Sequence, residues 1–127
     1  MFHTAQQCAR MKLLIADDHA GVRKFVRELV AELAAEIREC SNGEQAVCVG
    51  AEFLPDFVIM DLQMPGMDGF EATRRLADEC PQVRVIVISH AQHPGLEARA
   101  RGAGACCFLH KASLVELPSC IRRLAQA

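Results

Sequence analysis

The run "DFVIMDLQMPGMDG" (residues 56–69) decides how this chain folds. Phe57, Val58, Ile59 and Met60 form an unbroken apolar stretch, the pattern of a parallel strand buried on both faces. The stretch stops at a carboxylate, Asp61, and passes into a loop marked by Pro65, Gly66 and Gly69. A charge at the end of a core strand is costly to bury unless it is paired or bound to a metal. Asp61 therefore needs partners, and the rest of the chain has to supply them.

Outward from this strand, short apolar runs alternate with helical patterns. "KLLIA" (residues 12–16) reads as a first strand. Val22, Phe25, Val26, Leu29, Val30 and Leu33 then recur at helical spacing and give one apolar face. "EIREC" (36–40) is a weaker second strand, followed by a short helix over 43–51. Beyond the central strand, Asp68 and Glu71 have the spacing of a capping box, which opens a helix to about Glu79. "VRVIVIS" (83–89) is a fourth strand, a small-residue helix covers about 94–101, and "CCFLH" (106–110) is a fifth strand. Ser113 with Glu116 forms a second capping box before the last helix, in which Pro118 would fall beyond the first turn and disturb it. Five strands alternating with five helices predict an α/β fold with one parallel sheet, and right-handed crossovers cover both its faces with helices.

Composition agrees with a single domain of 127 residues. The formal net charge is −2 without a basic tract, which gives no reason to expect direct nucleic-acid binding. No apolar stretch is long enough to cross a bilayer. Residues 1–10 lack the pattern of a signal peptide and read as an extension ahead of a domain over 11–127. Seven cysteines, an odd number, include no CxxC pair and no zinc-site spacing. They suggest a reduced, cytoplasmic protein, with Cys106 and Cys107 as strand packing rather than a redox pair.

In an open parallel sheet, ligands bind outside the carboxyl ends of the strands, where the winding reverses. Asp17 and Asp18 follow the first strand, Asp61 ends the third, Ser89 ends the fourth, and Lys111 lies just past the fifth. A parallel sheet brings all five to one edge. Each alone is an ordinary cap, loop charge or strand-end hydroxyl; together they form a set. Clustered carboxylates repel, and a divalent cation such as magnesium relieves that repulsion with hard oxygen ligands and phosphate oxygens. A lysine ammonium and a serine hydroxyl suit phosphoryl oxygens. A carboxylate can itself be the nucleophile and form an acyl phosphate.

The marks "LLIADDH", "FVIMDLQMPGMDG", "VIVISHA" and "GACCFLHK" together resemble the receiver domain of bacterial two-component response regulators. The "DDH" opening and the Lys111-Ala112 step look most like the NarL-type subfamily, whose receivers usually precede a DNA-binding domain. The resemblance implies a doubly wound, three-layer, flavodoxin-like fold with strand order 2-1-3-4-5. It implies that Asp61 accepts a phosphoryl group from a sensor histidine kinase or a histidine phosphotransfer protein. Asp17, Asp18, Asp61 and the Gln63 backbone carbonyl would hold Mg2+, for which Mn2+ could substitute. Lys111 would pair with the phosphoryl group, Ser89 would be the switch hydroxyl and Phe108 the switch aromatic, re-shaping the surface of the fourth helix, fifth strand and fifth helix. Slow self-dephosphorylation and a phosphorylation-dependent homodimer belong to the same picture.

Some positions depart from the family pattern. His90 stands where a small residue is usual, and it either modulates access to the phosphoryl group or points to solvent. Ala112 replaces a proline, so the preceding peptide bond should be trans. Cys107 stands two residues after Ala105, where glycine is common. His19 beside the acidic pair fits a loop-shaping role better than a metal ligand. The alternative function is a receiver-fold interaction module that signals without phosphorylation, but such modules usually lose an acidic or lysine position and all are present here. A haloacid-dehalogenase-like phosphatase would need an aspartate two residues after the nucleophile, where Gln63 stands. The chain ends just after the last helix, which favours a stand-alone receiver; the subfamily resemblance favours a piece of a longer regulator.

Overall fold

The computed structural model describes residues 11–126. The expected extension over 1–10, Cys8 within it, and residue 127 lie outside the described residues. The elements run β1 (Met11–Ala16), α1 (Ala20–Val30), β2 (Ala34–Cys40), α2 (Gly43–Phe53), β3 (Phe57–Asp61), α3 (Gly69–Glu79), β4 (Arg84–Ser89), α4 (Leu96–Ala103), β5 (Cys107–His110) and α5 (Leu117–Gln126). Every strand pairing is parallel, and the strands lie in the order β2-β1-β3-β4-β5. The winding reverses between β1 and β3, so the crevice of the sheet opens beside Ala16 and Asp61.

The alternation of side chains along each strand divides the core in two. Leu13, Ile15, Phe57, Ile59, Ile86 and Ile88 face Val26 and Val30 of α1 and Leu117 and Ile121 of α5. Leu14, Val58, Met60, Val85 and Val87 face Ala46 of α2, Leu76 of α3 and Ala100 of α4. All five residues of β3 are buried, as expected for a strand covered on both sides.

Three local expectations need correction. Asp68 does cap α3, accepting from the Glu71 N–H at 3.0 Å. The reciprocal half of the box is not closed, because the Glu71 carboxylate pairs with Arg74 and Arg75, each at 3.0 Å. Ser113 does not cap α5: residues Lys111–Glu116 form a 3-10 turn in which Ser113 leaves helical geometry (φ −110, ψ 21). The helix starts at Leu117, so Pro118 is its second residue rather than a residue past the first turn. Its missing N–H costs nothing there, because the first N–H groups of a helix have no partner within it.

Candidate functional site

The carboxyl ends of β1, β3 and β5 bring the charged set together. Asp17 and Asp61 are buried, with 0% and 1% exposure, whereas Asp18 is exposed. Lys111 reaches down between them from the turn after β5. Its Nζ lies 2.9 Å from Asp17 Oδ2 and 3.4 Å from Asp61 Oδ1. Backbone groups hold the carboxylates in place: Asp17 Oδ1 accepts from His19 N at 2.9 Å, and Asp61 Oδ1 from Gln63 N at 3.3 Å. Arg23 donates to the Asp17 carbonyl at 2.7 Å and to Glu39 at 3.1 Å, tying α1 and β2 to the end of β1.

Gly69 sets how closely α3 can approach this edge. Its N–H donates to the Leu62 carbonyl at 3.1 Å. A Cβ at this position would collide with the Asp61 carbonyl and the Leu62 Cα. The loop from Asp61 to the α3 cap therefore closes tightly only around glycine.

Electrostatics mark Asp61 as the strained member of the set. Burial pushes its pKa above the ordinary carboxylate value, and the neighbouring Asp17 charge adds to the rise; Lys111 and the Gln63 N–H oppose it. Asp17 Oδ2 and Asp61 Oδ2 are buried without an aligned hydrogen-bond partner. The Lys111 ammonium is at ion-pair distance from Asp17 Oδ2 yet does not satisfy it as a hydrogen bond. Asp61 Oδ2, buried without a partner, and Asp17 Oδ2, met only by the Lys111 ammonium, are hard oxygen ligands of the kind a divalent cation takes. Ligand atoms of Asp17, Asp18, His19 and Asp61 all lie within 4.8 Å of one another, close enough to share one ion. His19 Nδ1 is already engaged, 3.1 Å from Asp18 Oδ1 and 3.4 Å from Asp17 Oδ1.

Ser89 is buried at the end of β4, one residue beyond the Asp61–Ile88 pairing. Its Oγ accepts from Ala91 N at 3.0 Å, which leaves the hydroxyl proton free to be donated elsewhere. A cavity of about 290 Å³ opens beside it, lined in part by Gln63, Phe70, Ser89 and Arg99. Phe108 is half-buried and packs against the α2–α4 side of the core. His90 is exposed, while its backbone carbonyl is bonded to His110. No cis peptide occurs among the described residues, so the Lys111–Ala112 bond is trans as expected. Sequence reasoning passed over His110 and Arg23. His110 reaches a backbone carbonyl twenty residues away and Arg23 a carboxylate on the neighbouring strand, and no sequence spacing announces such contacts.

The edge thus combines a buried carboxylate, an acidic pocket, a lysine and a hydroxyl at the reversal point of a 2-1-3-4-5 sheet, the layout of a phosphoryl-accepting receiver. Comparison with known proteins agrees. The response regulator receiver domain model matches residues 13–122, and the chain belongs to that family. It is 41% identical over 105 residues to the transcriptional activator protein ExaE of Pseudomonas putida, covering 81% of this chain and 49% of that protein. It is 32% identical over 117 residues to the response regulator GacA of Pseudomonas aeruginosa, covering 90% of this chain and 55% of that one. The chain spans about half the length of the curated relatives it matches. A LuxR-family two-component response regulator from Aurantimonas sp. SI85-9A1 superposes with a TM-score of 0.85 at 28% identity, over 91% of this chain and 85% of that one.

Proposed function

We propose that Asp61 is the phosphoacceptor of this receiver domain and that Asp17, Asp18 and Lys111 serve it. The observation that carries this reading is the burial of Asp61 with its charge only partly offset by Lys111 at 3.4 Å. Attack of a carboxylate oxygen on the phosphorus of a phosphohistidine forms a P–O bond and breaks the P–N bond, and the departing imidazole takes up a proton. Lys111 pairs with the phosphoryl oxygens, and Ser89 donates its hydroxyl proton to them. Asp17, Asp18, Asp61 and the Gln63 carbonyl would hold Mg2+, or Mn2+ in its place, which when bound supplies charge neutralisation for the transfer. Water attacking the acyl phosphate returns the site slowly to its resting state.

The donor on this reading is a sensor histidine kinase or a histidine phosphotransfer protein. Seating of Ser89 on the phosphoryl group, with Phe108 following it, biases the surface formed by α4, β5 and α5 between two arrangements. That surface serves a downstream protein, an attached output domain or a second copy of the chain in a phosphorylation-dependent homodimer. ExaE is named as a transcriptional activator, and a role in transcription through an attached output domain is the corresponding proposal here. The setting is cytoplasmic; no helix among the described residues is long and apolar enough to cross a membrane. Residues 11–127 form the working domain and residues 1–10 an extension to it.

The test is intact mass after incubation with acetyl phosphate. Wild-type chain should gain one phosphoryl group only with Mg2+ present, and Asp61→Asn should gain none. Uptake by the variant at the same level would remove Asp61 from its role. If the wild type takes up no group and also fails to bind beryllofluoride, the phosphorylation-independent interaction module becomes the better reading.

A further inference from the structure

The imidazole of His110 joins two loops of the site through their backbones. β4 and β5 are paired up to Ser89 and His110, where the ladder ends and the chains diverge. Just beyond that point, His110 Nε2 lies 3.0 Å from the carbonyl oxygen of His90, and Ala112 N donates to His110 Nδ1 at 3.1 Å. The partners fix the tautomer. A backbone N–H can only donate, so Nδ1 carries no proton; a carbonyl can only accept, so Nε2 carries one. His90 adjoins Ser89, and Ala112 adjoins Lys111. One neutral ring therefore bridges the residues that follow the two groups expected to meet the same phosphoryl group. Ala112 fixes how the ring is turned and which nitrogen carries the proton, because a proline at that position would have no N–H to give to Nδ1.

We propose that His110 is a positioning residue of the phosphorylation site, an Nε2–H imidazole that holds the Ser89 loop and the Lys111 loop at a fixed separation. It touches no reacting atom. Its effect is to keep hydroxyl and ammonium preorganised, so that neither loop has to be ordered during the transfer. This inference rests on the phosphoacceptor reading above.

Two variants divide the bridge. In His110→Gln the side-chain amide reaches as far as Nε2 and can still donate to the His90 carbonyl, but it offers nothing at Nδ1. In His110→Asn the shorter side chain can still accept from Ala112 N but cannot reach His90. Phosphoryl uptake from acetyl phosphate by the full chain should fall about fivefold in His110→Asn, the ratio that one lost hydrogen bond represents. It should stay near wild type in His110→Gln, because His110 already belongs to the Lys111 loop and the bond that spans the two loops is the one to the His90 carbonyl. Nitrogen-15 NMR of the unphosphorylated wild type should show His110 as the neutral Nε2–H tautomer. An Nδ1–H tautomer would overturn the proposal, as would wild-type rates in His110→Asn or equal losses in both variants. If the wild type itself accepts no phosphoryl group, the phosphoacceptor reading fails, and the tautomer measurement still decides whether the bridge exists.

Discussion

Asp61 and His90 show how far one side chain's surroundings determine what it can do. For Asp61, burial and the Asp17 charge raise the folded-state pKa. A raised value means that the folded chain holds the proton more tightly than the unfolded one. The group therefore adds stability below the ordinary carboxylate pKa of about 4, and that contribution is lost as pH climbs through the folded-state value. At neutral pH the ionised carboxylate is a liability to the metal-free fold. Asp61→Asn should thus melt at a higher temperature than wild type at pH 7 in chelator, with the advantage disappearing in acid. A lower melting temperature for the variant at pH 7 would mean that Lys111 more than compensates for the burial. His90 calls for a different argument, because only its ring is altered by His90→Ala and the carbonyl that receives His110 stays. If the exposed ring stands over the phosphoryl group, its removal should change the dephosphorylation half-life more than severalfold. An unchanged half-life would leave the ring as surface.

The strand whose burial is two-sided is the most legible in the sequence. Val85, Val87, Ile86 and Ile88 alternate between the two core halves, so β4 reads as one apolar run from either direction. β2 is an edge strand with mostly exposed residues, and Ala34 and Ala35 at its start carry no pattern to mark its beginning. The start of α5 was misplaced for a physical reason. Ser113 and Glu116 have capping spacing, but Ala112 N is bonded to His110 and residues Lys111–Glu116 form a 3-10 turn in which Ser113 leaves helical geometry, so the helix begins only at Leu117. Gly69 is the case in which a short-range signal and a long-range demand coincide. It follows a genuine helix cap and also sits where a Cβ would strike the Asp61 carbonyl. Because the obstruction is backbone and not a flexible side chain, Gly69→Ala should cost about 2 kcal/mol of stability. Chemical denaturation should show it as a lower midpoint, and a midpoint equal to wild type would mean that α3 can move away from the strand.

For the whole molecule, the acidic site exists only where distant segments meet. Asp17 and Asp18 come from the end of β1 and Asp61 from the end of β3, strands that are adjacent because the winding reverses between them. This convergence could be read before the structure, since parallel strands send all their carboxyl ends to one edge. Which carboxylate oxygen atoms Lys111 meets, and that Asp61 Oδ2 is left without a partner, could not. The site's dependence on distant segments makes cation binding a probe of the entire fold. An ion that binds the folded chain and not the unfolded one stabilises it by an amount that grows with the logarithm of its concentration. At a hundredfold excess over the dissociation constant the gain is about 2.7 kcal/mol. Raising Mg2+ should therefore raise the melting temperature of the wild type steadily. Asp18 is the exposed carboxylate of the cluster, so Asp18→Ala should leave the metal-free melting temperature nearly unchanged while flattening its response to Mg2+. A variant that responds as the wild type does would show that Asp17 and Asp61 hold the ion without it.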